Sequence, residues 1–183
     1  MNHKEKNKVR SASFEDTFAI GINSGLVDYK LAWLINKKLS IDFTRQEDIF
    51  SDGASFSFYY YSAGENCFVY NLVSIESQDQ VLLDFSPHLD YLLIIRNGIM
   101  PQRVDTIVKS LREIEGIGHA FLLDTNKGKS IRQALEIIEL QEIYLMERNK
   151  KRNSLEYVRQ EVMRRRSMVQ KAENQHANYL STI

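Results

Sequence analysis

Apolar and polar positions change period several times along this chain, and each change marks a predicted element. Thr17 to Ile22 (TFAIGI) is a short apolar run that predicts a first strand. Asn23-Ser24-Gly25 then offers turn chemistry, with Ser24 as the expected N-cap of a helix. From Leu26 to Leu39 the period is helical. Val27, Leu31, Leu34 and Ile35 form one face, while Leu26, Tyr29 and Trp33 form another. A helix so apolar is expected to pack on a sheet and to be covered in part by another segment, with the C-terminal tail the candidate.

No glycine closes this helix. Instead, Leu39 to Phe43 (LSIDF) switches to period two, which predicts a second strand there. Gln46 to Gly53 reads as an acidic loop. Ala54 to Tyr61 (ASFSFYYY) alternates, with Phe56, Phe58 and Tyr60 on one face and Ser55, Ser57, Tyr59 and Tyr61 on the other. Ser62 to Asn66 closes a hairpin into Cys67 to Ser74, and Val81 to Phe85 predicts a short strand. Leu89 to Arg96 is apolar on both faces, as a strand covered on both sides would be. Pro101 opens a helix running to about Glu115, whose buried stripe is Val104, Ile107, Val108 and Leu111. Ile117 to Asp124 is the last strand. From Ser130 to about Ala172 the chain is helical, with a kink or loop allowed at Asn149 to Ser154.

This order of elements predicts an α+β fold: an antiparallel-rich sheet with helices packed on it and a long C-terminal helix. The domain plan is a disordered tail over 1–14, an α+β domain over 15–146 and a charged helical extension over 147–183.

Composition changes this picture little, but charge adds to it. The 183 residues suit one domain with an appendage, and no apolar run approaches the roughly 18–20 residues of a spanning helix. The first sixteen residues lack the apolar core of a secretory signal. A single cysteine, Cys67, excludes an internal disulfide, so the cytoplasm is the expected compartment. Met1 to Thr125 holds 12 Lys/Arg against 17 Asp/Glu, and the remainder holds 12 against 7. Such asymmetry marks either a basic partner-binding tail or a solvated charged helix.

Four groups of residues carry candidate chemistry. Asp28-Tyr29 in the first helix is echoed by Asp90-Tyr91 before the central strand. Asp28, Asp90, Tyr91 and Arg96 form a candidate polar ligand pocket, with Arg96 or Arg103 as the cation for a buried Asp28. The alternative is structural: Asp28 serves the helix dipole and Asp90 a turn. Next, Asp124 to Ser130 (DTNKGKS) lies between a strand and a helix but lacks the first glycine of a phosphate loop, Leu123 standing in its place. Lys127, Lys129 and Ser130 remain a candidate site for a lone anion, or simply a turn with a serine cap. The four histidines show no metal-ligand spacing, so neither a metal nor a cofactor is expected. Finally, the tail carries Lys150, Lys151, Arg152, Arg164, Arg165 and Arg166 among glutamates, which suits protein contact or, as a lesser reading, nucleic acid.

The segment GINSGLVDYKLAWLINKKLSIDF, followed by ASFSFYYY and LDYLLIIRNG, resembles the small bacterial IPExxxVDY family. Ser24, Leu26, Asp28, Tyr29, Leu31, Ala32 and Asn36 fit its helix pattern, and Leu89-Asp90-Tyr91 fits Val-Asp-Tyr. Leu83-Asp84-Phe85 stands where Ile-Pro-Glu is expected, so no role of the Pro-Glu pair carries over. The resemblance covers roughly Thr17 to Asp124 and implies a cytosolic bacterial protein with nothing catalytic. The expected function is therefore a non-enzymatic interaction module working through its C-terminal helix, by a protein partner or self-association. A small-ligand or enzymatic pocket between the Asp-Tyr segments and nucleic-acid binding by the tail are the alternatives.

Overall fold

The computed structural model describes residues 16–64, 68–77, 79–97, 99–125 and 127–180, with side chains of the last helix described up to 160 and at 162–164. The disordered tail expected over 1–14 and Cys67 lie outside the described residues. In chain order the elements are β1 (Phe18–Ser24), α1 (Asp28–Leu39), β2 (Thr44–Arg45), β3 (Ile49–Ser51), β4 (Ala54–Phe56), β5 (Phe58–Ser62), β6 (Val69–Ser74), β7 (Glu76–Ser77), β8 (Gln80–Val81), β9 (Tyr91–Arg96), α2 (Pro101–Arg112), β10 (Ile117–Leu123) and α3 (Lys129–Leu180).

Six strands make one sheet in the order β10-β1-β9-β6-β5-β2, and all its pairs are antiparallel. Strand β9 lies in the middle, and Leu92, Leu93, Ile94 and Ile95 have no exposed surface. The fold is α+β, as the pattern predicts. Two short hairpins, β3–β4 and β7–β8, stand outside the main sheet.

Alternation along β9 divides the core into two layers. Tyr91, Leu93 and Ile95 join Ile20, Ile22, Leu31, Ile35, Val104, Ile107, Val108 and Leu111, so α1 and α2 cover one face. Leu92 and Ile94 point the other way. Gly21 shares that second side, where an added Cβ would lie 2.6 Å from Leu89 Cδ2. Phe56, Phe58, Val73, Ile75 and Leu89 are buried outside the first cluster. So are Ile131, Ala134, Leu135 and Ile138, the i, i+3, i+4, i+7 stripe of α3's first turns.

Six local expectations give way, among them the strand expected over Val81 to Phe85, of which only Val81 lies in β8. Ser24 does not cap α1: it ends β1, and Val27 is the N-cap without a side-chain bond. The strand expected from Leu39 starts only at Thr44, because Ser40 turns the chain with φ 55° and ψ 46°. Asn36 holds that turn, its carbonyl accepting from Ile41 N–H at 3.2 Å and its Oδ1 from Phe43 N–H at 2.8 Å. The acidic loop contains β3. The ASFSFYYY run breaks at Ser57, whose N–H is taken by Ser74 Oγ at 2.8 Å; β4 leaves to pair with β3, while β5 stays in the main sheet. Tyr59 is buried beneath the helices, and Tyr60 is half-buried. The outer side of α1 stays open: Tyr29 and Trp33 are exposed, with Lys37 Nζ 4.0 Å above the Trp33 ring.

The chain divides into two units, one ending at Ile138 and one beginning at Glu139. Within the second, α3 is helical without a break through Asn149 to Ser154. No helix among the described residues is long and apolar enough to cross a membrane.

Candidate functional site

The two Asp-Tyr segments meet at the N-terminal end of α1. Strand β1 runs beside β9, and the chain leaves β1 through Gly25 and Leu26 to begin the helix. Tyr91 Oη donates to the Leu26 carbonyl at 2.6 Å and so pins the approach to α1. Asp90 Oδ2 accepts the Ser24 N–H at 2.7 Å, while Ser24 Oγ donates to the Gly116 carbonyl at 2.7 Å and accepts from Leu26 N–H at 3.2 Å. Asp90 thereby closes the end of β1, a turn role that also satisfies a backbone donor.

Asp28 is the first residue of α1, where a carboxylate meets the unpaired amides of the first turn. Its partners come from the β2–β5 region. Arg45 Nη1 donates to Asp28 Oδ2 at 2.8 Å, and Tyr59 Oη donates to the same oxygen at 3.2 Å. Arg45 Nη2 also reaches Asp48 at 3.0 Å and 3.2 Å, and Ser55 Oγ donates to Asp48 Oδ2 at 2.7 Å. The guanidinium thus bridges two carboxylates, a charge-assisted arrangement that fixes α1 against the sheet edge.

The cation on Asp28 is therefore Arg45, not Arg96 or Arg103. Arg96 ends β9 five residues beyond Tyr91, roughly 16 Å away at the rise of a strand, and pairs with Val69. Arg103 lies over the Phe68 ring at 5.1 Å. Of the four residues in the candidate pocket, Asp28, Asp90 and Tyr91 come together and Arg96 does not.

Two clefts border this meeting point. One of about 280 Å³ is lined by Asp28, Arg45, Asp48 and Tyr91, and one of about 420 Å³ by Ser24, Asp79, Asp90 and Tyr91. Val27, Glu76, Ser77 and Tyr91 line both. Asp28 and Asp90 therefore flank Tyr91 from different clefts instead of facing each other across one.

Burial pushes the Tyr91 phenol up to about 12, with Asp28, Asp90 and Tyr59 adding to the rise. Burial likewise pushes Tyr59 up to about 12; Asp28 adds to it and Arg45 opposes it. Both phenols stay protonated at neutral pH and act as donors. A folded-state pKa above the unfolded value near 10 means the folded chain holds protons that the unfolded chain gives up. Stability from these two groups is complete below about pH 10 and is lost as pH rises through about 12. Urea midpoints measured at pH 9 and pH 11 should fall, and fall less for Tyr91→Phe; equal slopes for the two proteins would contradict the assignment.

The remaining predicted residues lie apart from this site. Ser130 Oγ donates to the Asp84 carbonyl at 2.5 Å, and Lys127 Nζ pairs with Asp124 at 3.2 Å. Lys129 is the first residue of α3. These contacts make DTNKGKS a strand-to-helix connection with Gly128 at φ 104°. Lys150, Lys151, Arg152 and Arg164 are exposed on α3, whereas the side chains of Arg165 and Arg166 lie outside the described residues.

Sequence reasoning missed Arg45, Asp48, Tyr59 and Glu76. Arg45 had a signal: it is the one cation in the acidic stretch Asp42 to Asp52. Glu76 had none, since its place depends on how β6 turns outward beside β9. Among known proteins, no family model, no curated protein and no solved structure matches this chain.

Proposed function

We propose that this chain is a protein-interaction module that self-associates in parallel through α3. The observation that carries this reading is the exposed apolar seam of the second unit: Leu155 is 64% exposed, Val158 53% and Val162 43%, at i, i+3 and i+7. Apolar side chains at that spacing are an a/d pattern, which gains by burial against another helix. Among the described residues, a groove of about 660 Å³ is lined by Arg152, Leu155, Arg159 and Met163 of this helix.

Charge argues for a second copy and for its direction. With Leu155 and Val162 at a and Val158 at d, the g positions are Glu147, Ser154 and Glu161, and the e positions are Arg152, Arg159 and Arg166. In a parallel pair, each g residue meets the partner's e residue five positions on, so Glu147 meets arginine and Glu161 does too. An antiparallel pair sets acid against acid and base against base. Arg148, Lys151 and Arg165 fall on the seam by the same spacing and make the association modest and concentration-dependent. The resemblance to the IPExxxVDY family agrees with a non-catalytic role.

Light scattering on the full chain should give a mass moving toward twice 21.3 kDa with concentration. Leu155→Asn with Val158→Asn should hold it at the monomer value, as should truncation at Asn149. A monomeric parent at ~100 µM, far above the Kd of a functional dimer, or a double variant that still associates, refutes the reading. A second reading, small polar ligand binding, is favoured by the paired clefts around Tyr91.

A further inference from the structure

We infer that Glu76, His88 and Asp90 form a binding site for a divalent first-row transition cation of the zinc class. Two segments bring these residues together: Glu76 follows β6, while His88 and Asp90 share the stretch leading into β9. Strands β6 and β9 are neighbours with Ser74 opposite Tyr91, so the residues just after one and just before the other share an end of the sheet. Ile75 N–H donates to the Asp90 carbonyl at 2.8 Å and sets Glu76 beside Asp90.

The imidazole stands at a coordination-shell distance from both carboxylates. One atom from each residue lies within 4.8 Å of the others. His88 Nε2 is 3.4 Å from Glu76 Oε2 and 3.6 Å from Asp90 Oδ1. Both exceed the usual N–H···O range of about 2.7–3.2 Å. They match instead the edge of a tetrahedron about 3.4 Å long, which follows from metal–ligand bonds of about 2.0–2.1 Å. The two carboxylates also bring negative charge, which a divalent cation balances.

Groups behind the ligands hold them in place. Asp90 turns Oδ1 toward His88 because its Oδ2 is occupied by Ser24 N–H at 2.7 Å. The His88 carbonyl accepts from Asn23 Nδ2 at 2.8 Å, which anchors the loop bearing the imidazole. Such outer contacts fix ligand direction at metal sites. The mixture of imidazole and carboxylate favours zinc, cobalt, nickel or manganese over calcium and magnesium, which take oxygen alone.

Three protein ligands leave a coordination position for solvent or a small anionic group. Two of the three ligands, Glu76 and Asp90, also line the cleft of about 420 Å³. The exposed positions of Glu76 and His88 give an ion a direct route in.

The test is calorimetric titration of Zn²⁺ alone into the untagged full chain after chelator treatment. One saturable site of micromolar affinity is expected. His88→Ala and Glu76→Gln should each weaken it at least tenfold with circular dichroism unchanged, while His119→Ala should not. Absence of saturable binding overturns the proposal. So does binding that survives both His88→Ala and Glu76→Gln.

Discussion

Leu93→Ala should destabilise the body by about 3 kcal/mol, within the range of about 2–5 for a fully buried leucine cut to alanine. Leu93 has no exposed surface and sits on β9 between β1 and β6, opposite Ile20 and Leu72. Neighbours on three strands and the covering helices cannot all move in to fill the space. At about 2–4 °C per kcal/mol for a chain of this size, the melting temperature should fall by roughly 6–12 °C. Leu122→Ala, on a side chain 47% exposed, is the control and should stay within about 0.5 kcal/mol. A loss at Leu93 no larger than at Leu122 would mean that β9 is not the centre of the core.

Gly116→Ala should cost about 2–4 kcal/mol from two causes. The residue has φ +96°, where an L side chain is strained by about 1–3 kcal/mol. In addition, the new Cβ would stand 2.8–2.9 Å from three atoms of Leu26. The Leu26 backbone is held by its N–H to Ser24 Oγ and its carbonyl to Tyr91 Oη, so relief must come from its side chain alone. The Gly116 carbonyl is itself the acceptor for Ser24 Oγ. Gly25→Ala is the contrast: its Cβ would meet nothing within 4 Å, and the change should be neutral or slightly stabilising. Chemical denaturation of the two variants separates a strained glycine from a merely flexible one. Equal midpoints would remove the strain argument.

Where apolar spacing is dense and uninterrupted, the sequence is a reliable guide to this fold. The run Tyr91 to Ile95 is apolar at successive positions, and a strand buried on both faces is the arrangement that uses it. The α2 stripe of Val104, Ile107, Val108 and Leu111 is buried in full. Errors gather where one side-chain hydrogen bond outweighs period. Ser74 Oγ on Ser57 N–H splits an alternating run of eight residues, and Asn36 diverts the chain after α1. The site was half legible for a related reason. Asp28, Asp90 and Tyr91 carry a repeated pattern that draws attention, whereas Arg45 reaches Asp28 across a loop whose course no local spacing records. The same holds for Glu76, brought to His88 and Asp90 only by sheet order.

The position of β1 has a consequence for synthesis. Its two partners, β9 and β10, lie about 70 and 100 residues further along the chain, so closing those loops carries a large entropic cost before any pairing is gained. The β5–β6 hairpin can form while the chain is still being made. Among the described strands, β1 precedes all the others and is the last to find both its neighbours, since β10 is complete only once Leu123 has emerged. A pause or a chaperone acting between those two moments would protect β1.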